Sequence, residues 1–414
     1  MASWQWALHG CGAPAFLWRE TCIMADSRLD ELRTAYGAAL GWRGEDLMLV
    51  DFLAAWAVAN RWGGRQAKIW AFFVGPSGVG KTESIYPMYG LPFVYPLNTL
   101  TDKSLISGLD KDDGRDYSNL PEMDKKLVIM PEFTTIVQMP PQQSNVIMAE
   151  LRSLYDGLPF RKIYGTGAKD YDVSFGLLAC VTPAIDGFLM QHTQLGERFV
   201  MYRVLRNYSY SQETVLLKRM RKRAAGKDGW RKTLRHYTHA ALKHLDKLKV
   251  VPLNAPDTVE MRDRVQAAAQ LVSRTRSVGP PGSGEVVMET NAATRLIQQF
   301  QNLGAGRMII EDRDEWDNSD LALVTRVAED SMSREGYRLL RYLKAMRRGI
   351  TCAEAARATG IPGSRVGQLL RQWMFNELTR QTDKHSWTLS KPALDMLEAS
   401  KVLQSPVAPE ADCD

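Results

Sequence analysis

One glycine-rich segment of this 414-residue sequence combines residue types and spacing that point directly to chemistry. An apolar run at 69–74, rich in residues that favour strands, leads into it. Glycines let backbone N–H groups point at phosphate oxygens, and a following helix start adds partial positive charge. The pattern G-x-x-x-x-G-K-T therefore predicts a phosphate-binding loop made of Gly75, Pro76, Ser77, Gly78, Val79, Gly80, Lys81 and Thr82. Lys81 would reach the β- and γ-phosphates of ATP, and the Thr82 hydroxyl would bind Mg²⁺.

A second apolar run, at 126–130, ends in Pro131 and Glu132. In most P-loop ATPases this strand end carries Asp-Glu, where the Asp helps to hold Mg²⁺ and the Glu polarises the attacking water. Here Pro131 occupies the Asp position. Glu132 must therefore activate water, help to hold Mg²⁺, or share both tasks with water molecules. The alternative is an ordinary carboxylate at the end of a strand.

Two more polar residues lie next to apolar strand segments. Thr182 follows the run 176–181, where its hydroxyl could sense the γ-phosphate or the attacking water. A turn-capping Thr before Pro183 is the alternative. Arg198 precedes the core segment 199–204 and could reach the nucleotide of a neighbouring subunit, as an arginine finger that stabilises charge in phosphoryl transfer. The alternative is a surface arginine in an ion pair.

Strands and helices that alternate between 67 and 205 predict an α/β nucleotide-binding core. Within it, apolar segments on either side of a glycine-containing tip at 165–169 predict a hairpin. Helix, tight turn, helix and β-wing after residue 333 predict a winged helix-turn-helix. The expected domains are an N-terminal leader and helical segment at 1–66, an ATPase core at 67–205, a helical lid region at 206–332, a winged helix-turn-helix at 333–401 and a disordered tail at 402–414.

This order of motifs resembles an AAA+ ATPase, and more narrowly the minichromosome-maintenance-like branch of phage and mobile-element type. The segment 105–109 falls where that branch has its helix-2 insertion, 164–169 where it has the pre-sensor hairpin, and 196–199 where it carries the finger. The motifs Pro-Glu-Phe-Thr-Thr, Leu-Tyr-Asp-Gly, Val-Thr-Pro-Ala-Ile-Asp and Gly-Glu-Arg-Phe recur together in such proteins. The resemblance extends over roughly residues 30–400, and Pro131 departs from the pattern.

The resemblance implies a P-loop AAA+ core with a helical lid, assembled into a ring-shaped homo-oligomer that is expected to be a hexamer. It implies that Lys169, at the hairpin tip, contacts nucleic acid in the pore of the ring, assisted by Lys162. A solvated lysine is the alternative. It also implies a sensor arginine from the lid, for which Arg274 and Arg276 at a helix end are the candidates. The alternative for these two is a favourable interaction with the helix dipole.

Basic residues make DNA the expected partner of the last domain. On the second helix of the predicted winged helix, Arg365 and Arg371 would face the major groove. Lys384 and His385 on the wing would meet the DNA backbone. The basic run at 218–249 is a second candidate surface for nucleic acid. The alternatives are a winged helix that docks proteins and a charged face that is merely solvated.

Composition narrows the class of protein. No apolar run approaches the length that spans a bilayer, so no membrane partner is expected. The five cysteines show no C-x-x-C spacing, which argues against a disulfide framework or a zinc site and fits a reducing, cytoplasmic location. A formal net charge of +6 permits a nucleic-acid partner without requiring one. Residues 1–23 lack the features of a secretory signal and are expected to be a leader or an overcalled start.

Together these features predict an ATP-driven, ring-forming motor on DNA, with helicase or translocase activity in the replication of a phage or mobile element. The alternative is an ATP-switched DNA-binding loader or regulator that hydrolyses ATP slowly and does not unwind DNA. Pro131, at the position expected to hold Mg²⁺, favours the alternative.

Overall fold

The structure is a computed structural model that describes residues 28–65, 68–101, 105–106, 118–157, 160–164, 167–192, 197–204, 227–247, 253, 256–276, 293–346 and 348–404. The predicted leader at 1–23, the helix-2 segment beyond 106, the hairpin tip at 165–166, the basic residues at 218–226 and the tail after 404 lie outside these ranges. Within the ranges, no helix combines the length and the apolar character that crossing a membrane requires.

A five-stranded parallel sheet forms the centre of the described chain. Its strands, in spatial order, are Val94–Pro96 (β2), Leu127–Met130 (β3), Gly176–Val181 (β6), Trp70–Val74 (β1) and Phe199–Arg203 (β7). A separate antiparallel hairpin joins Phe160–Tyr164 (β4) and Gly167–Tyr171 (β5). The inner strands are apolar along their whole length because both faces of the sheet are covered, as is usual for parallel sheets. The prediction of an α/β fold is confirmed.

Helices cover both faces of this sheet. The first seven are Arg28–Leu40 (α1), Met48–Trp62 (α2), Lys81–Ile85 (α3), Leu120–Met123 (α4), Thr134–Val137 (α5), Pro141–Asp156 (α6) and Ile185–Gln191 (α7). One face of the sheet, which includes Phe72 and Val74, packs against α5, α6 and α7. The other face, which includes Ala71 and Phe73, packs in one continuous core with α1, α2 and helices from the second half of the chain.

Those later helices occupy the region predicted as a lid. They are Lys227–Leu242 (α8), Val259–Arg276 (α9), Thr294–Ile310 (α10) and Asn318–Ser331 (α11). α10 crosses α2 so closely that a Cβ at Gly306 would lie 2.3 Å from the Ala55 carbonyl oxygen. The buried Arg307 guanidinium on α10 donates to Asp51 on α2 at 3.1 Å and to Asp320 on α11 at 2.9 Å. Because buried charges must be paired to be tolerated, this cluster ties α10 and α11 to α2.

The C-terminal region combines helices with a small antiparallel sheet. In chain order its elements are Arg334–Ala345 (α12), Ile350–Thr351 (β8), Cys352–Thr359 (α13), Gly363–Phe375 (α14), Thr379–Gln381 (β9), Ser386–Leu389 (β10) and Lys391–Ser400 (α15). The hydroxyl groups of Ser333 and Thr351 cap α12 and α13, and Gly360 follows α13 with a φ angle of +67°. Strand β10 lies between β8 and β9. α15 packs against α9, so this region is joined directly to the preceding helices.

Candidate functional site

The phosphate loop and two other predicted site segments meet at one edge of the sheet. Strands β1, β3 and β6 are parallel, so their carboxyl ends lie along the same edge. The Gly75 amide donates to the Val181 carbonyl at 3.0 Å, and the Phe133 amide donates to the Cys180 carbonyl at 2.8 Å. These bonds hold the loop beside the turns that follow β6 and β3. In open α/β sheets, ligands bind at this edge.

Backbone geometry explains the glycines of the loop. Gly78 and Gly80 have φ angles of +84° and +87°, in the left-handed region that residues with a side chain rarely adopt. A Cβ at either position would meet no atom within 4 Å, so the backbone angle selects glycine there, not a lack of space. At Gly75 the reason is steric, because a Cβ would lie 2.9 Å from Val79 Cγ2 and 3.2 Å from the Val204 carbonyl oxygen. The result is a curled loop of the kind that cradles phosphate.

Lys81 lies within the curve of this loop. Its ammonium group donates to the carbonyl oxygens of Gly75 at 2.5 Å and Pro76 at 2.8 Å. Burial lowers the pKa of the ammonium below its ordinary value, and the Glu132 carboxylate opposes that shift. Thr82 follows as an exposed residue at the start of α3. Both residues are therefore placed where the loop sequence predicts them.

Helix α3 is short and is held in place by α8. It ends at Ile85, and a 3₁₀ turn over Tyr86–Met88 continues the chain, because Pro87 has no N–H group with which to extend the α-helix. Arg231 on α8 forms a two-pronged ion pair with Glu83, in which Nε donates to Oε2 at 3.0 Å. Arg231 belongs to the predicted basic surface for nucleic acid, and in the structure its ion pair supports the helix that follows the glycine-rich loop.

Glu132 and Thr182 are linked through a third residue, Thr134. The exposed Glu132 side chain accepts a hydrogen bond at Oε1 from the Thr134 amide, at 3.2 Å. The Thr134 hydroxyl in turn accepts from the Thr182 amide at 3.3 Å. The preceding Pro131 contributes no side-chain oxygen, so Glu132 is the carboxylate at the end of β3. Sequence reasoning did not single out Thr134, although a hydroxyl two residues after Glu132 was the available signal.

This edge therefore brings a cation, a hydroxyl and a carboxylate to one curled loop. Lys81 can bind anionic oxygen, while Thr82 and Glu132 offer oxygen donors of the type that Mg²⁺ prefers. Glu132 can also accept a proton from water. Burial raises the pKa of the neighbouring Cys180 thiol to about 12, which keeps that cysteine protonated and unreactive. The chemistry that fits these groups is phosphate binding with activation of water.

Arg198 lies at the opposite edge of the sheet. It immediately precedes β7, which runs parallel to β1. Phe199 at the start of β7 pairs with Trp70 at the start of β1, and Arg203 at the end of β7 pairs with Val74 at the end of β1. A five-residue strand advances about 13 Å between its first and last residues, and the phosphate loop begins beyond the far end. Arg198 therefore does not share a site with Lys81 of the same chain.

The Arg198 guanidinium forms an ion pair within its own chain, as the alternative interpretation expects. Nε and Nη2 donate to the Asp156 carboxylate at 3.1 Å and 2.7 Å. Arg295, near the start of α10, donates to the same carboxylate at 3.4 Å. Sequence reasoning missed Arg295 because nothing local indicates that α10 meets the end of α6. The structure thus places two arginines together at the edge that Arg198 occupies.

Arg274 and Arg276 are not brought to the phosphate loop. Nη1 of Arg276 donates at 3.0 Å to the carbonyl oxygen of Phe199, the first residue of β7, and its Nε donates to the Ser331 carbonyl. Burial lowers the pKa of the Arg276 guanidinium to about 10, so it stays charged at neutral pH. Arg274 donates at 3.0 Å to the Asn376 carbonyl in the C-terminal region. The structure therefore places neither candidate sensor arginine beside the phosphate loop of its own chain, because Arg276 meets the amino end of β7 and Arg274 meets the C-terminal region.

The hairpin differs from its prediction in one respect. Lys169 lies within β5 and pairs with Lys162 on β4. Two further residue pairs, Ile163 with Ala168 and Tyr164 with Gly167, continue the strand pairing beyond it. The prediction that Lys169 lies at the tip is therefore wrong, because β5 begins at Gly167 and takes Lys169 into the strand.

The two arginines predicted to face DNA lie on different faces of helix α14. Successive helical residues are about 100° apart, so Arg365 does not share a face with Arg371, six residues later. Arg365 is only 7 % exposed, and its Nε donates to Glu335 at 2.9 Å while Nη2 contacts Met190 Sδ at 3.5 Å. The prediction that Arg365 faces a DNA groove is wrong, because α12 and α7 cover it. Arg371 is exposed.

Arg371 lines a groove of about 650 Å³ on the C-terminal region. The groove lies between the start of α13, the outer face of α14 and the β9–β10 hairpin. Lys384 and His385 of the hairpin line it too, together with the apolar side chains of Met374 and Trp387. Three basic side chains therefore converge on a surface that also offers apolar contacts.

Comparison of the chain with models of known protein families finds no match, and comparison with curated proteins finds no matching sequence. The described geometry brings Lys81, Glu132 and Thr182 to the carboxyl edge of the sheet. It brings Arg198 and Arg295 to the amino edge, and Arg371 to the groove on the C-terminal region.

Proposed function

We propose that this protein is an ATP-dependent, ring-forming AAA+ motor that acts on DNA as a helicase or translocase, in the replication of a phage or mobile element. One observation carries the proposal. Phosphate-binding and water-activating groups converge at the carboxyl edge of the sheet, whereas the arginines suited to a nucleotide lie at the amino edge. Such a site is complete only when a second copy of the chain supplies its arginine.

The residues at the carboxyl edge fit ATP with Mg²⁺. The left-handed angles at Gly78 and Gly80 curl the loop, and no atom crowds either position. Lys81 would hold the β- and γ-phosphates, and the exposed oxygens of Thr82 and Glu132 would bind Mg²⁺ directly or through water. Bound Mg²⁺ neutralises phosphate charge. Glu132 would then accept the proton of the attacking water, and Thr182 would help to orient that water.

The placement of Arg198 also supports a ring. An interface that joins the carboxyl edge of one chain to the amino edge of the next uses two different surfaces, so it is heterologous. Interfaces of this kind close into rings when the rotation between subunits permits it. A hexamer is the size that the AAA+ resemblance implies. Arg198 of each subunit, with Arg295 beside it, would stabilise charge on the phosphates held by its neighbour.

The C-terminal region supports DNA as the partner. Two helices followed by a hairpin, with β8 pairing on the hairpin, form an arrangement compatible with a winged helix. Arg371, Lys384 and His385 converge on its groove, and basic side chains beside apolar ones suit a nucleic-acid surface. The β4–β5 hairpin, where Lys162 pairs with Lys169, is the second proposed DNA contact.

A second function is favoured by one specific observation. Pro131 leaves the end of β3 with a single carboxylate, so fewer groups would hold Mg²⁺ here than in most P-loop ATPases. Slow hydrolysis would suit an ATP-switched loader or regulator on DNA that does not unwind the duplex.

The test measures ATP hydrolysis and strand displacement on the same preparation. A motor hydrolyses ATP faster when single-stranded or forked DNA is added, and it displaces a labelled strand. Lys81→Ala is the control and should lose both activities, because the loop then lacks its phosphate-binding cation. ATP-dependent DNA binding with slow hydrolysis and no displacement would leave the loader as the function. If the chain binds neither ATP nor DNA, both the motor and the loader are contradicted.

The two arginines of α14 should respond differently to substitution. Arg371→Ala is expected to weaken DNA binding about tenfold at fixed salt and to reduce the salt dependence by about one counterion if the contact is to phosphate. Arg365→Ala is expected to lower the free energy of unfolding by about 1–3 kcal/mol, because Glu335 loses its partner beside a covered surface. Fluorescence anisotropy at two salt concentrations and thermal unfolding measure these effects.

Arg357→Ala is the matched control for Arg371→Ala. Arg357 is an exposed arginine on the neighbouring helix α13 that does not line the groove. Equal losses of DNA affinity in the two variants would show a diffuse charge effect and would argue against the groove as the DNA contact.

A further inference from the structure

Asp156 lies beside Arg198 at the amino edge of the sheet. It is the last residue of α6, and its two carboxylate oxygens accept hydrogen bonds from Nε and Nη2 of Arg198. Two parallel bonds from a planar guanidinium to a carboxylate fix both the position and the orientation of the arginine. The Arg198 side chain is 12 % exposed and that of Asp156 is 27 % exposed, so this pair reaches the surface without being loose on it.

The backbone around Arg198 is held by the lid. The Glu197 side chain accepts from the Ser273 hydroxyl at 2.6 Å, and the Glu197 carbonyl accepts from Gln299 Nε2 at 2.8 Å. On the other side, the Phe199 carbonyl accepts from Arg276. Helices α9 and α10 thus clamp the main chain on both sides of the arginine. Beyond this clamp, two hydrogen bonds to the Asp156 carboxylate help to orient the Arg198 side chain.

Asp156 also interacts with a second arginine, Arg295. Its carboxylate also accepts from Arg295, so one negative group lies between two guanidinium groups that would otherwise repel each other. The other nearby carboxylate, Glu197, is occupied by Ser273, and its burial raises its pKa above the ordinary value. Asp156 is therefore the carboxylate that forms ion pairs with both Arg198 and Arg295, and the Glu197 carboxylate also attracts both arginines.

We propose that Asp156 is a positioning residue for Arg198. It holds the guanidinium in the orientation that meets the phosphates bound by the neighbouring subunit, and it does not touch the nucleotide itself. The inference rests on the proposed function, because it requires Arg198 to act on a second chain. A guanidinium that is already oriented does not have to be ordered during phosphoryl transfer. Removing the Asp156 carboxylate would leave the guanidinium less ordered and would therefore slow the chemical step.

The test compares ATP turnover by the assembled full-length chain carrying Asp156→Ala, Asp156→Asn, Asp156→Glu or Arg198→Ala. Asp156→Ala is expected to lower kcat about tenfold and to change KM for ATP less than about twofold, because the arginine acts on the transition state. Asp156→Glu should recover part of kcat, since it keeps the carboxylate. Asp156→Asn keeps the size of the side chain but removes its charge, so it should resemble Asp156→Ala in kcat.

The double variant Asp156→Ala/Arg198→Ala separates positioning from general damage. If Asp156 acts through Arg198, the double variant hydrolyses ATP no more slowly than Arg198→Ala alone. Asp172→Asn is the matched control, because Asp172 forms an ion pair with Arg65 at 2.6 Å on the surface and should leave kcat unchanged.

The outcomes separate this inference from the function beneath it. If Arg198→Ala leaves hydrolysis unchanged, or the unaltered chain does not hydrolyse ATP, the proposed function fails and the inference fails with it. If Arg198→Ala slows hydrolysis but Asp156→Ala and Asp156→Asn do not, only the inference is overturned. A double variant much slower than Arg198→Ala also overturns it, because Asp156 would then act by another route.

Discussion

Glu132→Gln is expected to lower kcat for ATP hydrolysis by at least about 100-fold while ATP binding is retained. The reason is that a positioned general base contributes about 10²–10⁴ in rate, and Gln cannot accept the proton of the attacking water. The end of β3 offers no second carboxylate, because Pro131 precedes Glu132. Binding should persist because the loop from Gly75 to Thr82 is unchanged. Phosphate release measures kcat, and a fluorescent ATP analogue measures the dissociation constant.

The same variant distinguishes the two tasks open to Glu132. If the carboxylate mainly activates water, the Mg²⁺ concentration needed for ATP binding stays the same in Glu132→Gln. If it also holds Mg²⁺, that concentration rises. Glu122→Gln is the control, because Glu122 is an exposed carboxylate on α4 outside the site. Hydrolysis within about threefold of the unaltered chain would exclude Glu132 as the base, given the contribution that a base makes.

Mixing two inactive variants is expected to restore activity. Lys81→Ala lacks the phosphate-binding cation and Arg198→Ala lacks the arginine, so each should lose at least about 10³ in kcat if the arginine contributes as fingers do elsewhere. In a random equimolar ring, an intact loop from one subunit faces an intact Arg198 from the other at about one interface in four. The mixture should therefore recover up to about a quarter of normal turnover if the interfaces act independently.

The recovery follows from where the residues lie in the sheet. Lys81 follows the carboxyl end of β1, and Arg198 precedes the amino end of β7, which runs parallel to β1. One chain cannot bring them together, whereas two chains packed edge to edge can. The control mixes Lys81→Ala with the double variant Lys81→Ala/Arg198→Ala, a combination with no intact loop, which should stay inactive. Absence of recovery in mixtures shown to contain mixed oligomers would contradict a site shared between subunits.

The curled glycine-rich loop could be predicted from sequence because its backbone geometry is local. The left-handed angles of Gly78 and Gly80 and the position of Lys81 depend on a few consecutive residues, and the structure has them as expected. Apolar runs such as 126–130 and 176–181 likewise became buried strands, since a strand in a parallel sheet must be apolar on both faces. These parts of the fold follow from short-range spacing alone.

Errors arose where the answer depended on packing between distant segments. Arg365 is polar and helical, and no nearby residue indicates that α7 and α12 cover it. Arg276 ends a helix that sequence assigns to the lid, but the edge of the sheet that it meets depends on how α9 packs. The predicted position of Lys169 was wrong because the sequence does not reveal that Lys169 pairs with Lys162 inside the β4–β5 hairpin. The spacing of residues along the chain does not indicate which distant segments pack together or how the strands of a hairpin pair.

The sequence by itself determined the α/β core, the curled loop at Gly75 to Thr82, and Glu132 and Thr182 as polar ends of apolar strands. Only the tertiary structure decided which of these groups meet. Strand order places β6 between β1 and β3, which links Thr182 to Glu132 through Thr134. Parallel pairing of β7 with β1 sends Arg198 to the opposite edge, beside Asp156 and Arg295. The physical reason is that a strand's apolar pattern specifies its burial but not its neighbours.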